Sequence, residues 1–210
     1  EEDSKLCRYL DQIEDSANRA AELSRQMLFY SGRGSFTVSP LSLSGLVREI
    51  AEEMRPGLEG SVSILLELES HLPPIEGDSV QLKQMVRNLM LNAVESLESK
   101  AGVVVLSTGF MVRKAQQAAG SSGDEPLAAG NYVFLTVDDT GKGIGRENID
   151  RIFDPFFSTK SPGRGLGLAV VQGIVRGHKG SLKVSSTPGR GSTFRVLFPA
   201  VDRSKMPRPP

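Results

Sequence analysis

Residues 132–145 read YVFLTVDDTGKGIG, an apolar run followed by two aspartates and by glycines at alternate positions. The run predicts a strand, and Asp139 stands where that strand ends. Gly141 and Gly143 allow the main chain to adopt a positive φ and to approach a flat ligand closely. A carboxylate beside such a backbone can accept a hydrogen bond from an exocyclic amine such as that of adenine. Taken alone, the pattern is equally typical of an ordinary Asp/Gly turn after an edge strand.

Upstream, residues 78–97 repeat apolar side chains with the period of a buried helix face. The apolar positions are Leu82, Met85, Val86, Leu89, Ala93 and Leu97. Asn88 and Asn92 are four residues apart and therefore lie on one face of this predicted helix, one turn from each other. An amide costs free energy when it is buried without a partner, and amide oxygens suit a hard cation such as Mg²⁺. A pair of asparagines on a solvated face is the alternative.

Downstream, residues 152–160 read IFDPFFSTK and residues 163–171 read GRGLGLAVV. The second segment leads into a predicted helix, whose N-terminal N–H groups can face a polyphosphate. Lys160 and Arg164 add positive charge at that place. We expect at least one nearby aromatic side chain to belong to the core, among Phe153, Phe156 and Phe157.

A fourth block, residues 187–199, reads TPGRGSTFRVLFP, a tight turn followed by an alternating strand. In this order the blocks resemble the N, G1, F and G2 boxes of the catalytic and ATP-binding domain of sensor histidine kinases, over about residues 36–199. The conjunction of NLxxNA, DxGxGI, FDPFFSTK and GxGLGLAVV is far more specific than any single piece. The resemblance implies the GHKL (Bergerat) fold, with ATP and Mg²⁺ as ligands. The sequences of residues 156–160 and of residues 170–175 are most similar to those of hybrid kinases.

The resemblance also implies roles for individual residues. Asp139 should hold the adenine amine, and Asn92 should ligate Mg²⁺ with Asn88 supporting it. The implied catalytic residues are Asn88, Lys160 and Arg164, the last two on the family's mobile ATP lid, expected at residues 154–165. The other implied nucleotide contacts are Gly141, Gly143, Ile144, Phe157, Thr159, Gly163, Gly165, Leu166, Gly167, Leu168 and Ser192.

Residues 1–30 carry apolar or small side chains at alternating spacings of four and three, which is typical of a helix packed against other helices. These positions are Leu6, Leu10, Ile13, Ala17, Ala20, Ser24 and Met27. A helix folded onto its own domain is the alternative. The text resembles the second helix of the family's dimerisation and phosphoacceptor hairpin. That resemblance implies a homodimer through this helix and a response regulator receiver domain as partner.

The chain has two histidines, and neither is in the context of the family's phosphoacceptor. His71 precedes two prolines in a predicted loop, and His178 lies in the sequence GHKG at a predicted helix end. We expect both to be solvent-exposed loop residues. We therefore expect the acceptor histidine on a dimerisation helix absent from this chain, which would then begin halfway through the hairpin.

Composition narrows the class of protein. The 210 residues are 39% hydrophobic, enough for a real core, and 25 basic residues balance 25 acidic ones. There is no basic run with interleaved aromatics, so we expect no nucleic-acid partner. No apolar run approaches the roughly 20 residues that span a bilayer. Cys7 is alone, which is compatible with a reducing cytoplasm, and a location in the cytoplasmic part of a membrane-anchored sensor fits equally.

The remaining patterns predict an α/β two-layer sandwich, in which a mixed sheet carries helices on one face and follows an N-terminal helix. Strands are expected at 35–39, 62–69, 103–112, 132–138, 181–186 and 192–198. Helices are expected at 43–54, 80–97, 146–151 and 166–176. We expect a joint to end the first segment (1–34), a catalytic domain at 35–200 and a tail at 201–210. The long connection 113–130 is interpreted as a tolerated insertion.

One position favours a particular reaction. In the relatives that hydrolyse ATP or phosphorylate serine, a glutamate one helical turn before the metal-binding asparagine acts as general base. Asn88 occupies that position here, and an amide cannot accept a proton near neutral pH. A neutral imidazole is already a competent nucleophile. The sequence therefore favours an ATP-dependent protein-histidine kinase, with a GHKL ATPase or a nucleotide-sensing scaffold module as alternatives.

Overall fold

The computed structural model of this chain describes residues 37–58, 61–98, 100–114, 128–158 and 165–201. The expected N-terminal helix and joint (1–34) lie outside the described residues, as do most of the connection 113–130 and the tail from residue 202. The same holds for four expected site residues, Thr159, Lys160, Gly163 and Arg164.

Seven strands and four α-helices make up the described part of the chain. The strands are β1 (Ser39–Leu41), β2 (Val62–Leu68), β3 (Ile75–Gly77), β4 (Gly102–Arg113), β5 (Gly130–Asp139), β6 (Ser181–Thr187) and β7 (Gly191–Pro199). The helices are α1 (Leu43–Met54), α2 (Ser79–Ser96), α3 (Arg146–Ile149) and α4 (Gly167–Gly177), and a 3₁₀ turn follows α1 at Arg55–Gly57. All four predicted helices are therefore confirmed, with ends that differ by at most two residues.

The main sheet has five strands in the order β2-β4-β5-β7-β6. β2 and β4 are parallel, and the other neighbours are antiparallel. The register places Asp139 between Val104 of β4 and Ser192 of β7. The predicted pairing of the strands on either side of the long connection is confirmed.

One face of this sheet forms the core with the helices. Alternate residues of the three central strands are at most 1% exposed: Val104, Leu106, Val133, Leu135, Val137, Phe194, Val196 and Phe198. They belong to the same hydrophobic cluster as Val47 and Ile50 of α1, Leu82 and Leu89 of α2, and Val171 of α4. Burial of this apolar surface is the main stabilising contribution. The predicted two-layer α/β sandwich, a mixed sheet with helices on one face, is confirmed.

Polar caps fix where the two longest helices begin. The Ser42 side chain accepts a hydrogen bond from the Gly45 N–H at 3.2 Å. The Asp78 carboxylate accepts from the N–H groups of Val80 and Gln81 at 2.9 and 3.2 Å. These contacts satisfy donors that the first turn of a helix leaves unpaired. The second cap fixes where α2, the helix that carries the two asparagines, begins.

The N-terminal strand was predicted wrongly. Residues 37 and 38 are not in a strand, and β1 begins at Ser39. It pairs antiparallel with β3, a strand that the sequence did not predict. Both strands have three residues, too few for an alternating pattern to be visible, and prolines precede β3 and lie within β1. Ile75 of β3 is nevertheless fully buried, because tertiary packing rather than local propensity holds this pair.

Candidate functional site

Asp139 ends β5 on the face of the sheet that meets the helices, and it is only 6% exposed. Two donors converge on one of its oxygens. The Ser96 hydroxyl donates to Oδ1 at 2.8 Å, and the Gly141 N–H donates to the same atom at 2.8 Å. Among the described residues, these are the side-chain hydrogen bonds that Asp139 makes, and they leave Oδ2 available as an acceptor.

The turn that follows Asp139 is held by backbone contacts on both sides. Lys142 donates its N–H to the Ser96 carbonyl at 3.0 Å and accepts from the Gly189 N–H at 2.7 Å. Gly143 has a φ of +69°, a conformation that favours glycine. The turn is therefore clamped between the end of α2 and the β6–β7 hairpin, as a preformed wall beside Asp139.

Ile144 and Ser192 extend this wall. The Ile144 N–H donates to the Ser186 hydroxyl at 2.7 Å, and the Ser186 and Ser192 hydroxyls are 3.0 Å apart. Ser192 is 6% exposed and lies directly across from Asp139 in the register. The expected contacts Asp139, Gly141, Gly143, Ile144 and Ser192 thus come together in one place.

The two asparagines lie four residues apart on the predicted helix α2, and both are half-buried. The Asn88 amide donates to the Gly167 carbonyl at 3.3 Å, so this residue links α2 to the first residue of α4. Asn92 lies one turn nearer to Ser96. In the described parts of the chain, no group of three or more His, Cys, Asp or Glu side chains could hold a metal ion. A divalent cation here would therefore depend on amide oxygens, ligand oxygens and water.

The glycine-rich segment ends at the N-terminus of α4. Leu166 occupies the cap position and makes no side-chain cap hydrogen bond. Among the described residues, no side chain caps the first turn of α4, and N–H groups at such a position can face a ligand anion. Leu168 is half-buried against the core and anchors the turn. Of the expected phosphate contacts, Gly165, Leu166, Gly167 and Leu168 are brought to the end of α4, next to Asn88.

The two ends of the expected lid are tied together. The Phe156 N–H donates to the Gly165 carbonyl at 3.0 Å. Phe157 is half-buried, with the Arg151 guanidinium 4.3 Å from its ring centroid. Phe156 is 63% exposed and has a φ of +69°. The expectation that Phe153, Phe156 or Phe157 belongs to the core is wrong, since none of them is buried.

The expected site residues form two groups in the structure, one around Asp139 and one around Asn88. They are connected by α2, because Ser96 contacts Asp139 and Asn88 contacts Gly167. Ser96 lies eight residues after Asn88 on this helix, which corresponds to about 12 Å along the helix axis. The arrangement can therefore bind an elongated ligand that has a hydrogen-bond donor at one end and anionic groups at the other.

Sequence reasoning missed Ser96 and Ser186. Ser96 follows Asn92 by four residues, so the spacing that paired Asn88 with Asn92 extends to it. The spacing therefore carries a signal for Ser96. Ser186 had no comparable signal, because its role depends on which strand lies beside the Ile144 turn.

His178 also departs from expectation. It is 8% exposed rather than solvent-exposed, and it is the C-cap residue that follows α4. Its Nε2 accepts the Asp78 N–H at 3.0 Å, and its Nδ1 lies 2.7 Å from the Ile174 carbonyl. His178 thus joins the C-terminal end of α4 to the N-terminal end of α2. His71 is exposed, as predicted.

The chain matches one family model and many known proteins in sequence. Residues 77–202 match the model of the family described as histidine kinase-, DNA gyrase B- and HSP90-like ATPases. The chain is 33% identical to the signal transduction histidine-protein kinase AtoS of Escherichia coli strain K12, over 88% of this chain and 27% of that protein. It is 30% identical to the sensory histidine kinase/phosphatase NtrB of Azospirillum brasilense, over 91% of this chain and 47% of that protein. The chain spans about a quarter of the length of the first curated relatives that it matches.

Solved structures agree with the fold. Full-length ShkA in complex with AMPPNP aligns with a TM-score of 0.69 and 28% identity, over 92% of this chain and 38% of ShkA. The catalytic domain of the histidine kinase ThkA aligns with a TM-score of 0.59 and 25% identity, over 80% of this chain and 97% of that domain.

Proposed function

This chain belongs to the family of histidine kinase-, DNA gyrase B- and HSP90-like ATPases, and we propose that it binds ATP with Mg²⁺ and delivers the γ-phosphoryl group to a histidine on a dimerisation helix. The observation that supports this most strongly is the environment of Asp139. A buried carboxylate with one oxygen engaged and the other available suits a ligand amine. The adenine amine fits that requirement, and ShkA, a structural relative, was solved with an ATP analogue.

The second group of residues would bind the phosphate chain. The N-terminus of α4, which no side chain of the described residues caps, offers N–H groups and the positive end of the helix dipole. Lys160 and Arg164 flank this segment in the sequence, and we propose that they neutralise phosphate charge. Asn92 would contribute an amide oxygen to Mg²⁺, and Asn88 would support the site through its link to Gly167. When bound, Mg²⁺ would supply charge stabilisation to the transferring phosphoryl group.

The nature of Asn88 favours a histidine acceptor over water or serine. Hydrolysis and serine phosphorylation need a base that removes a proton from the attacking oxygen. The Asn88 amide donates to Gly167 and cannot act as that base. An imidazole attacks with a nitrogen lone pair and needs positioning more than proton removal. Asn88 therefore favours the proposed kinase over a GHKL ATPase.

The acceptor itself would come from another segment. His178 is buried and hydrogen-bonded at the end of α4, and His71 lacks the sequence context of a phosphoacceptor. We propose that the acceptor helix pairs with residues 1–30 in a homodimer and that a response regulator receiver domain takes the phosphoryl group onward. The reaction consumes ATP, and the lone Cys7 is typical of a reducing compartment, so we propose a cytoplasmic site of action. No helix in the described part of the chain is long and apolar enough to cross a membrane.

Phosphotransfer to a supplied hairpin that carries the acceptor histidine tests this proposal. The expected product is a phosphoramidate, which is labile in acid and stable in base. Nucleotide binding without any transfer would instead indicate a nucleotide-sensing scaffold module. The Asp139→Ala variant should fail to bind ATP and therefore fail to transfer.

A further inference from the structure

Ser96 connects the end of α2 to the turn that contains Asp139. It is the last residue of α2 and is 8% exposed. Its carbonyl accepts the Lys142 N–H at 3.0 Å. A Cβ at Gly141 would lie 1.9 Å from the Ser96 hydroxyl oxygen and 2.6 Å from the same carbonyl oxygen, so the turn packs closely against both groups. The hydrogen bond from Lys142 involves only the backbone of Ser96, so it does not depend on the hydroxyl.

The hydroxyl makes a separate contact. It lies 2.8 Å from Asp139 Oδ1 and 2.7 Å from the Ala93 carbonyl oxygen. The hydroxyl has one proton for these two acceptors, and the carboxylate is the stronger acceptor of the two. With the Gly141 N–H, the hydroxyl therefore gives Oδ1 two donors. A terminal carboxylate torsion has a broad, roughly two-fold preference, so an unrestrained aspartate turns easily. Two donors on one oxygen hold the carboxylate plane and keep Oδ2 as the oxygen available to a ligand.

We propose that Ser96 is a positioning residue that makes this site selective for a nucleobase with an exocyclic amine. The proposal rests on the ATP binding proposed above and adds the residue that fixes its base specificity. Ser96 does not contact the base itself. It holds the acceptor that does, and a preoriented acceptor is worth more than a mobile one because no ordering cost remains at binding.

A purely structural role of the Ser96 hydroxyl would give a different experimental result. If the hydroxyl only stabilised the end of α2 through Ala93, its loss would weaken the fold and would not distinguish one purine from another. Ser44 provides the matched control. It is 6% exposed, donates to the Glu69 carbonyl at 2.7 Å and lies 2.8 Å from the Thr108 hydroxyl, in a part of the fold without site residues.

The experiment compares Ser96→Ala with Ser44→Ala in the whole chain. Calorimetry measures the Kd of ATP and of purine riboside triphosphate, which lacks the exocyclic amine, and urea unfolding measures the stability of each variant. For Ser96→Ala we expect ATP binding to weaken by about three- to tenfold and binding of the amine-free analogue to change by less than about twofold. Ser44→Ala should lose comparable stability and leave both affinities unchanged.

Two results would overturn the role of Ser96. One is an equal loss of affinity for both nucleotides, which is the signature of a structural residue. The other is an unchanged Kd for ATP in Ser96→Ala. If the wild-type chain bound neither nucleotide, both the proposed function and this role of Ser96 would be overturned. That result differs from the first two because it is measured on the wild-type chain alone.

Discussion

Replacing Asp139 with asparagine turns one acceptor of the site into a donor while it keeps the shape of the side chain. Ser96 and Gly141 both donate to Oδ1, so the oxygen of the introduced amide must take that position. Its NH₂ group then occupies the position of Oδ2 and faces the adenine amine, donor against donor. The fold keeps both internal hydrogen bonds. We therefore expect a loss of ligand affinity rather than a loss of folding stability.

The magnitude follows from the lost contact. A hydrogen bond to a charged group contributes about 1.5–3 kcal/mol, and about 1.4 kcal/mol corresponds to a factor of ten in Kd. The Asp139→Asn variant should therefore bind ATP about 10- to 150-fold more weakly. Guanine carries an acceptor oxygen where adenine carries the amine, so the preference for ATP over GTP should fall by a similar factor.

Calorimetry with ATP and GTP, in the presence of Mg²⁺, checks this prediction. Asp138→Asn is the matched control, because Asp138 precedes Asp139 in β5, lies on the other face of the sheet and accepts a hydrogen bond from the Thr193 hydroxyl. Its ATP affinity should stay within about twofold of wild type. An unchanged ATP affinity in Asp139→Asn would refute the assignment of Asp139 to the base.

Two further predictions concern the metal and the buried histidine. Asn92→Ala should weaken ATP binding with Mg²⁺ by about tenfold or more and change it little in EDTA, as measured by calorimetry under both conditions; an equal loss in both would mark Asn92 as structural. His178→Phe leaves the Asp78 N–H without its acceptor, so urea unfolding should show a loss of about 1–3 kcal/mol, whereas exposed His71→Phe should change stability by less than about 0.5 kcal/mol. Equal stability of the two histidine variants would contradict the role of His178 as a link between α2 and α4.

The sequence predicted those parts of the structure that periodicity and strand ends determine. The apolar repeat of residues 78–97 predicted α2, and its spacing placed Asn88 and Asn92 on one face. The apolar run at 132–138 predicted β5 and put Asp139 at its end. Each prediction depends on local pattern and on a side-chain direction that the backbone geometry dictates.

The parts that were missed depend on tertiary neighbours. β3 has three residues and is held by β1 and by buried Ile75, so no local pattern marks it. His178 looked like a loop residue, and it is buried because Asp78, a hundred residues earlier in the chain, presents an N–H to it. Ser186 lies beside Ile144 only because β6 and β7 form a hairpin against that turn.

Incubation of this chain with γ-labelled ATP and Mg²⁺, with and without a hairpin that carries the acceptor histidine, tests the central proposal most directly. Without the hairpin we expect no stable label on the chain and no sustained release of phosphate, because Asn88 provides no base for water or serine. With the hairpin we expect label on it that is lost in acid and retained in base. Acid-stable labelling of the chain, or steady ATP hydrolysis without the hairpin, would contradict the proposed histidine kinase activity.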